Sequence, residues 1–404
     1  MGQPKWILCK DSHQFTKEKG TMLPGPVFMR RTFHENFPIA ETEQDHRMDK
    51  KLKITEIARR TNLSTSTVSR VLAGKANTSE TARRLVLECA RELGVMEGLA
   101  AGRLLLNNLV IFAPQRAFDE RSDIFYYRVI QSISKALDSH EVRLRYCPLE
   151  ELDSDANVFI ARMNEPETQA AILLGIDDPH IHELAADFAK PCVLINCRDK
   201  RMRLPTVAPD HRAIGEFAAD YLFDSGHRDM VVVMCLRRYT MDLRLAGIKD
   251  AWQQRNLRFQ SKRDLITVPS FSAREAQSRV AEWLDGSAHK NPPTAFLVGG
   301  DFMAEGTVRA LQQRGLRVPQ DVSVMSIDAF NLAAIQDVPL TAVHVPRDEL
   351  GTEAVYMLQQ RLIRPQAAIG SLLINGMLVV RESVRRIRPG QRRTAVEREG
   401  LYDV

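Results

Sequence analysis

From about residue 108 onward the chain alternates short apolar runs with longer segments of helical period, and no other feature narrows its possible folds as much. The apolar runs are Leu109–Ala113, Val142–Cys147, Ala170–Leu174, Cys192–Asn196, Met230–Cys235, Ala295–Val298 and Val322–Ile327. Between them lie helical stretches such as Ile214–Asp224, Arg244–Arg255, Ala273–Trp283 and Phe302–Gln313. Strands that alternate with helices of this length form βαβ units around a parallel sheet. About 280 residues of such units exceed one ordinary core, so two sheets are expected.

The remaining bounds are looser. At 404 residues the chain suggests two or three domains, given roughly 100–200 residues per domain. A content of 44% hydrophobic and 26% charged residues is that of a globular protein. No apolar run approaches the ~20 residues of a membrane helix. The start, MGQPKWILCKDSHQF, lacks the apolar stretch of a secretory signal, so a cytoplasmic location is expected. Cys9, Cys89, Cys147, Cys192, Cys197 and Cys235 form no CxxC pair and no zinc-like spacing. They read as reduced thiols, and neither metal nor cofactor is expected.

Residues 1–47 mix Pro, Gly, His, Phe and charge without period, and are expected to be a disordered leader ahead of a natural start at Met48. The next segment, Met48–Leu105, carries 11 Lys/Arg against 6 Asp/Glu, as much net charge as the whole chain's +5. A compact basic module on a near-neutral body suggests a nucleic-acid head, although a solvated helical surface carries such charge equally well. Its pattern favours the former. In KITEIARRTNLSTSTVSRVLA, Ile54, Ile57 and Ala58 make one apolar face, and Asn62–Leu63 a tight turn. Ser64 can cap a second helix that turns Val68, Val71 and Leu72 inward and exposes Thr65, Ser66, Ser69 and Arg70. A third helix, capped at Thr78 or Ser79, would pack through Leu85, Val86, Cys89 and Ala90. Two short helices joined by a tight turn, the second rich in hydroxyls plus an arginine, make a helix-turn-helix.

The segment STSTVSRVLAGKANTSETARRLV resembles the DNA-binding head of the lactose/galactose-repressor (LacI/GalR) family, and the likeness continues in order to about residue 385. The resemblance implies an α/β chain: an all-α helix-turn-helix head at 48–95, a hinge at 96–107, a two-lobed core resembling periplasmic binding proteins at 108–386, and a loose basic tail at 387–404. It places Thr65 and Ser66 where the family reads bases, and Thr67, Ser69 and Arg70 where it contacts phosphate or base. Ser64 is counted in the same DNA-facing set, and Asn77 falls in the loop before the third helix, where the resemblance implies contact with the DNA backbone. By alignment Leu104 is the apolar wedge that the family's hinge helix inserts into the minor groove, with Ala101 one turn earlier. The hinge departs from the family pattern: Val95-Met96-Glu97-Gly98 replaces Tyr-x-Pro-Asn, and Gly102 stands where Arg is usual. Each glycine makes a hinge helix costlier to order by up to ~1 kcal/mol. The competing reading is that Leu104–Leu106 simply begin the core.

In the core, the resemblance places Arg244 and Asp301 where members hold a ligand. A guanidinium fork and a carboxylate suit adjacent sugar hydroxyls. Phe125, Tyr126, Asn196, Arg198 and Asp328 are further candidates near strand ends, where two βαβ lobes bind ligands. Asp210 lies near the cleft or serves lobe geometry. No GxSxG, HExxH or GxxxxGK[ST] motif is present, so no catalysis is expected. The resemblance implies a homodimeric regulator, most often a repressor released by a sugar, bound to double-stranded operator DNA. A small-solute-binding protein without a DNA role is the alternative; the basic head argues against it. An enzyme on a borrowed fold is the third reading.

Overall fold

The structure, a computed structural model, describes residues 43–75, 77–96, 104–120, 123–286, 292–330 and 338–387, with side chains from residue 50 onward. Backbone packing divides the chain into two units, Met1–Met48 and Asp49–Val404. Every element of the fold belongs to the second unit, apart from the first residues of one helix. Residues 1–42 of the expected leader, most of the hinge and nearly all of the tail lie outside the described residues.

Three helices open the described chain: α1 (Glu43–Thr61), α2 (Thr65–Leu72) and α3 (Glu80–Glu92). Helix α1 therefore runs through the expected boundary at 47/48. Asn62, in the turn between α1 and α2, has φ 55, a left-handed conformation that asparagine tolerates. The Ser64 hydroxyl accepts from the Thr67 N–H at 3.1 Å, and Ser79 caps α3 by accepting from Ala82 N–H at 3.2 Å. Ile57, Ala58, Val68, Val71, Leu72, Val86, Leu87, Cys89 and Ala90 pack together. Leu85, expected on this face, is 37% exposed, and Leu87 is buried in its place. With α3 starting at Glu80, the inward stripe runs through Ala82, Val86, Cys89 and Ala90, and Leu85 falls beside it. Arg83 is buried on that stripe and donates to the carbonyl of Leu105 at 3.2 Å.

The remaining elements are β1 (Asn108–Ala113), α4 (Ile124–Leu137), β2 (Arg143–Pro148), α5 (Ala156–Asn164), β3 (Ala170–Leu174), α6 (Pro179–Asp187), β4 (Cys192–Ile195), β5 (Thr206–Pro209), α7 (His211–Asp224), β6 (Met230–Met234), α8 (Tyr239–Gln254), α9 (Ser261–Asp264), β7 (Leu265–Thr267), α10 (Ala273–Asp285), β8 (Ala295–Val298), α11 (Asp301–Gln312), β9 (Ser323–Asp328), β10 (Thr341–His344), α12 (Arg347–Ile363), β11 (Ser371–Ile374) and β12 (Met377–Val379). They form two six-stranded sheets, in the orders β11-β5-β4-β3-β1-β2 and β12-β10-β9-β8-β6-β7. All pairings are parallel except β10 with β12.

Each sheet is apolar on both faces. Leu109, Ile111, Ile172 and Val193 face one core and Val110, Phe112, Leu173 and Leu194 the other, as a sheet covered by helices on both sides requires. The second sheet divides in the same way. The chain passes between lobes after β5, after β10 and between β11 and β12. The cleft therefore lies at the carboxyl ends of both sheets. Among the described residues, no helix is long and apolar enough to cross a membrane, and no cluster of His, Cys, Asp or Glu could hold a metal. The five described cysteines are buried free thiols.

Helices α7 and α8 meet backbone to backbone through two glycines. A Cβ on Gly215 would overlap the carbonyl oxygen of Arg244, and one on Gly247 the carbonyl of Arg212. Gly215→Ala is thus expected to wedge the helices apart at a cost of about 1–3 kcal/mol, read as a lower urea midpoint. An unchanged midpoint would mean that the helices slide without penalty.

Candidate functional site

The outer face of α2 is the first site. Ser64, Thr65, Ser66, Ser69 and Arg70 are exposed, Thr67 is half-buried, and Asn77 is exposed in the following loop. Thr67 Oγ1 lies 2.8 Å from Ser64 Oγ. The Arg70 guanidinium folds back along its helix, donating to Ser66 Oγ at 3.2 Å and to the Ser66 carbonyl at 3.3 Å. Both bonds are long and solvent-exposed, so the side chain is easily drawn away by a better acceptor. The three helices rest on the first lobe without covering this face. Arg91 donates to the Leu362 carbonyl at 2.9 Å, Asn107 Nδ2 to the Gly74 carbonyl at 2.7 Å, and Lys75 pairs with Glu141.

The wedge expectation fails for Leu104 in this conformation. Its side chain is 2% exposed and packs with Leu106, Leu109 and Ile133 in the first lobe. Only a few residues separate it from β1, too few to carry it clear of that core. Ala101 lies outside the described residues.

The second site is a cavity of about 430 Å³ at the strand ends. Arg244, expected at the start of a helix, stands in the second turn of α8, which begins at Tyr239. It is 1% exposed and donates to the Gly299 carbonyl at 2.8 Å, to Asp328 Oδ1 at 3.4 Å and to His211 Nδ1 at 3.3 Å. His211 Nε2 lies 2.8 Å from Asn196 Oδ1, and Asn196 Nδ2 donates to the Tyr126 hydroxyl at 3.0 Å. The partners fix the tautomer: Asn196 Oδ1 only accepts, so Nε2 carries the proton and Nδ1 accepts from Arg244. Burial and the Arg244 charge hold the His211 pKa well below its ordinary value, which agrees with a neutral ring. This chain of bonds joins Tyr126 and Asn196 of the first lobe to Arg244 and Asp328 of the second.

A second set of contacts crosses the cleft beside it. Arg238 at the head of α8 grips Asp177 through two bonds of 2.7 and 3.0 Å and donates to the Asn196 carbonyl at 2.8 Å. Glu151 meets Arg116 at 2.5 Å, Arg237 at 3.1 Å and Arg238 at 3.5 Å.

Asp301 corrects its expectation in part. It lines the cavity, but Oδ1 accepts from Ser326 Oγ and from the Ala329 N–H, and Oδ2 from the Phe330 N–H at 2.5 Å. Its main work is to hold the turn after β9. Asp328 keeps a freer role. It ends β9 with φ 131, and Ala329 follows with φ 53. Such backbone in non-glycine residues stores about 1–3 kcal/mol each and recurs at ligand clamps. Phe125 and Tyr126 both line the cavity, whereas Arg198 is exposed beside Tyr239, and Asp210 caps α7 through the Ala213 N–H at 3.0 Å.

Burial pushes the Asp328 carboxyl up to about 7, against the pull of Arg244. An acid with a raised folded pKa binds its proton more tightly when folded, so its charged form costs stability. That cost grows as pH rises from about 4 to about 7. The wild type should therefore lose stability relative to Asp328→Asn across that window, by at most about 1.4 kcal/mol per pH unit. Parallel pH profiles of the two proteins would contradict the assignment.

Sequence reasoning missed His211, Arg237, Arg238, Thr240, Phe271, Phe302 and Phe330, all of which line the cavity. Most stand at or just beyond a strand exit, the position that also singles out Asn196 and Asp328.

The same head and core occur in known proteins. A sequence signature described as "Bacterial regulatory proteins, lacI family" matches residues 53–95, and one described as "Periplasmic binding protein-like domain" matches 219–384. The transcriptional repressor CytR of Escherichia coli strain K12 is 26% identical over 349 residues, covering 82% of this chain and 95% of that protein. The transcriptional repressor PurR of Edwardsiella ictaluri is also 26% identical, over 335 residues, covering 82% of this chain and 96% of its own length. The lac repressor dimer bound to operator and the anti-inducer ONPF superposes with a TM-score of 0.59 at 22% identity, covering 82% of this chain and 98% of that one. The regulator CelR in complex with cellobiose gives 0.58 at 20% identity, covering 82% and 99%. The head signature and the core signature are matched in this order and full-length relatives span both, so the chain is similar along its length to bacterial regulatory proteins of the lacI family.

Proposed function

We propose that this chain is a sequence-specific transcriptional repressor whose affinity for double-stranded operator DNA is set by a small sugar-like molecule in the interlobe cleft. The observation that carries this is the exposed hydroxyl-and-arginine face of α2 in one chain with a ligand-sized cleft. Thr65 and Ser66 face base edges, while Ser64, Thr67, Ser69, Arg70 and Asn77 contact phosphate or base. Arg244, Asp328, Asn196, Tyr126, Phe125 and Asp301 form the effector site. Two relatives are named repressors, and one structural neighbour holds cellobiose. A homodimer presents two heads to adjacent half-sites. Exposed Tyr356, Leu373, Met377 and Val380 offer it apolar surface. A ligand that alters lobe geometry by about 1–3 kcal/mol changes operator affinity 5–150-fold.

The test is a salt-titrated binding assay of the full chain on DNA upstream of its own and neighbouring genes, repeated with a panel of sugars and sugar derivatives. Nanomolar, site-specific binding with a steep salt slope supports the reading, and a compound that shifts it is the effector. Weak binding equal on all DNA, unrescued by any compound, favours a solute-binding role instead.

A further inference from the structure

We propose that the cleft selects a ligand carrying an anionic group, phosphate or carboxylate, and that this group docks where α8, α10 and α11 begin. The proposal rests on the cleft being the effector site and adds the ligand's charge. The topology supplies the first observation. Strands β7, β6 and β8 are neighbours, so the helices that follow them start side by side at one wall of the cavity. Helices α2 to α7 are each capped by a serine or aspartate side chain. From α8 to α12 no helix has a side-chain cap bond, and at α8, α10 and α11, the three that start at the cavity, the capping positions are Arg238, Ser272 and Gly300. Uncapped first-turn N–H groups, backed by the helix dipole, attract anions.

The second observation is independent of helix ends. Thr240, in the first turn of α8, is 1% exposed and lines the cavity, and its hydroxyl has no hydrogen-bond partner among the described residues. One turn further, Arg244 Nε is equally buried and also without a partner among them. Buried donors left unmatched are costly, and a bound acceptor removes that cost. At the rim, Arg237 is 42% exposed, sits over the Phe271 ring at 5.9 Å and pairs with Glu151 at 3.1 Å, a carboxylate that it shares with Arg116 and Arg238.

The third observation concerns acceptors. Of the carboxylates lining the cavity, Asp301 is occupied on both oxygens by Ser326, Ala329 and Phe330. Asp123 is occupied by the Tyr126 N–H at 3.1 Å and by Arg116 at 3.0 Å. Asp328 holds Arg244 through Oδ1 alone. The two unpartnered groups on this wall, the Thr240 hydroxyl and Arg244 Nε, can therefore both donate to a bound group, while Asp328 is the lining carboxylate with an oxygen to spare. A neutral polyol brings an O–H donor with nearly every oxygen and needs acceptors in return, whereas a phosphate or carboxylate brings acceptors. The aromatic walls of Phe125, Phe302 and Phe330 leave room for a ring beside the charged group.

Isothermal titration of the full chain with matched compounds tests this: ribose against ribose 5-phosphate, glucose against glucose 6-phosphate and glucuronate, and inorganic phosphate alone. The expected result is that a charged member binds about tenfold or more tighter than its neutral partner, the size of one charge-assisted contact. Arg237→Gln should erase most of that ratio and Arg237→Lys keep most of it. A neutral member that binds as tightly as its charged partner and shifts operator affinity overturns the proposal and leaves the cleft as effector site. A charge preference that survives Arg237→Gln overturns the assigned docking point. Binding by neither series overturns the proposal, and so does a charge preference that persists unchanged in Arg244→Ala, which removes Arg244 from the site.

Discussion

Arg244→Ala should abolish effector binding and destabilise the core by about 3–5 kcal/mol, the usual cost of removing one member of a buried charge pair. Arg244 is 1% exposed, and its guanidinium is the meeting point of three otherwise separate groups: the Gly299 carbonyl ahead of α11, Asp328 at the end of β9 and His211 at the start of α7. Alanine leaves the first without a donor, the second without its countercharge and the third with an unmatched lone pair. The bond at Gly299 is short, at 2.8 Å, while the two to Asp328 are 3.4 Å. The carbonyl and the cavity left by the side chain should therefore account for much of the loss. Arg244→Lys retains charge but not the fork. It should recover part of the stability and little of the binding, because one ammonium cannot span Gly299, Asp328 and His211 together. Urea unfolding and calorimetric titration on the same samples measure both effects. A stable alanine variant that still binds effector would remove Arg244 from the site.

The relay around Arg244 also marks the limit of what the sequence reveals. The apolar runs are legible because a parallel strand buried on both faces is apolar at every position, as Ala170–Leu174 and Met230–Met234 are. The edge strands β7, β11 and β12 are not. Ser371–Ile374 is largely exposed and Leu265–Thr267 is three residues long, so neither carries a periodic signal. At the cleft, Arg244, Asn196 and Asp328 can be named from their positions, but their partners cannot. His211 meets Asn196 and Arg244 only because the chain crosses between lobes just after β5, a fact of topology. Leu104 shows the opposite failure. Alignment makes it a wedge, while its burial with Leu106 and Leu109 follows from β1 starting at Asn108.

Arg70→Ala should weaken operator binding by about 1–3 kcal/mol per head, doubled where a dimer uses two heads. The fold has no stake in this side chain: it is exposed, and its bonds at 3.2 and 3.3 Å return to Ser66 on its own helix. Thermal stability and effector affinity should accordingly match the wild type, and a fall in either would give Arg70 a structural role. The salt dependence then separates the two ways in which an arginine can act on DNA. If Arg70 reads a base edge, the variant loses specific binding but keeps its affinity for random DNA, and the slope of log affinity against log salt stays the same. If it neutralises a phosphate, affinity falls evenly on all sequences and the slope shrinks by about one per arginine removed. Ser66→Ala serves as the second arm. It removes the hydroxyl that restrains Arg70 in the free protein and adds no charge change. A variant that loses specificity through Ser66 itself therefore keeps the full salt slope, whereas one that only releases Arg70 binds at least as well as the parent.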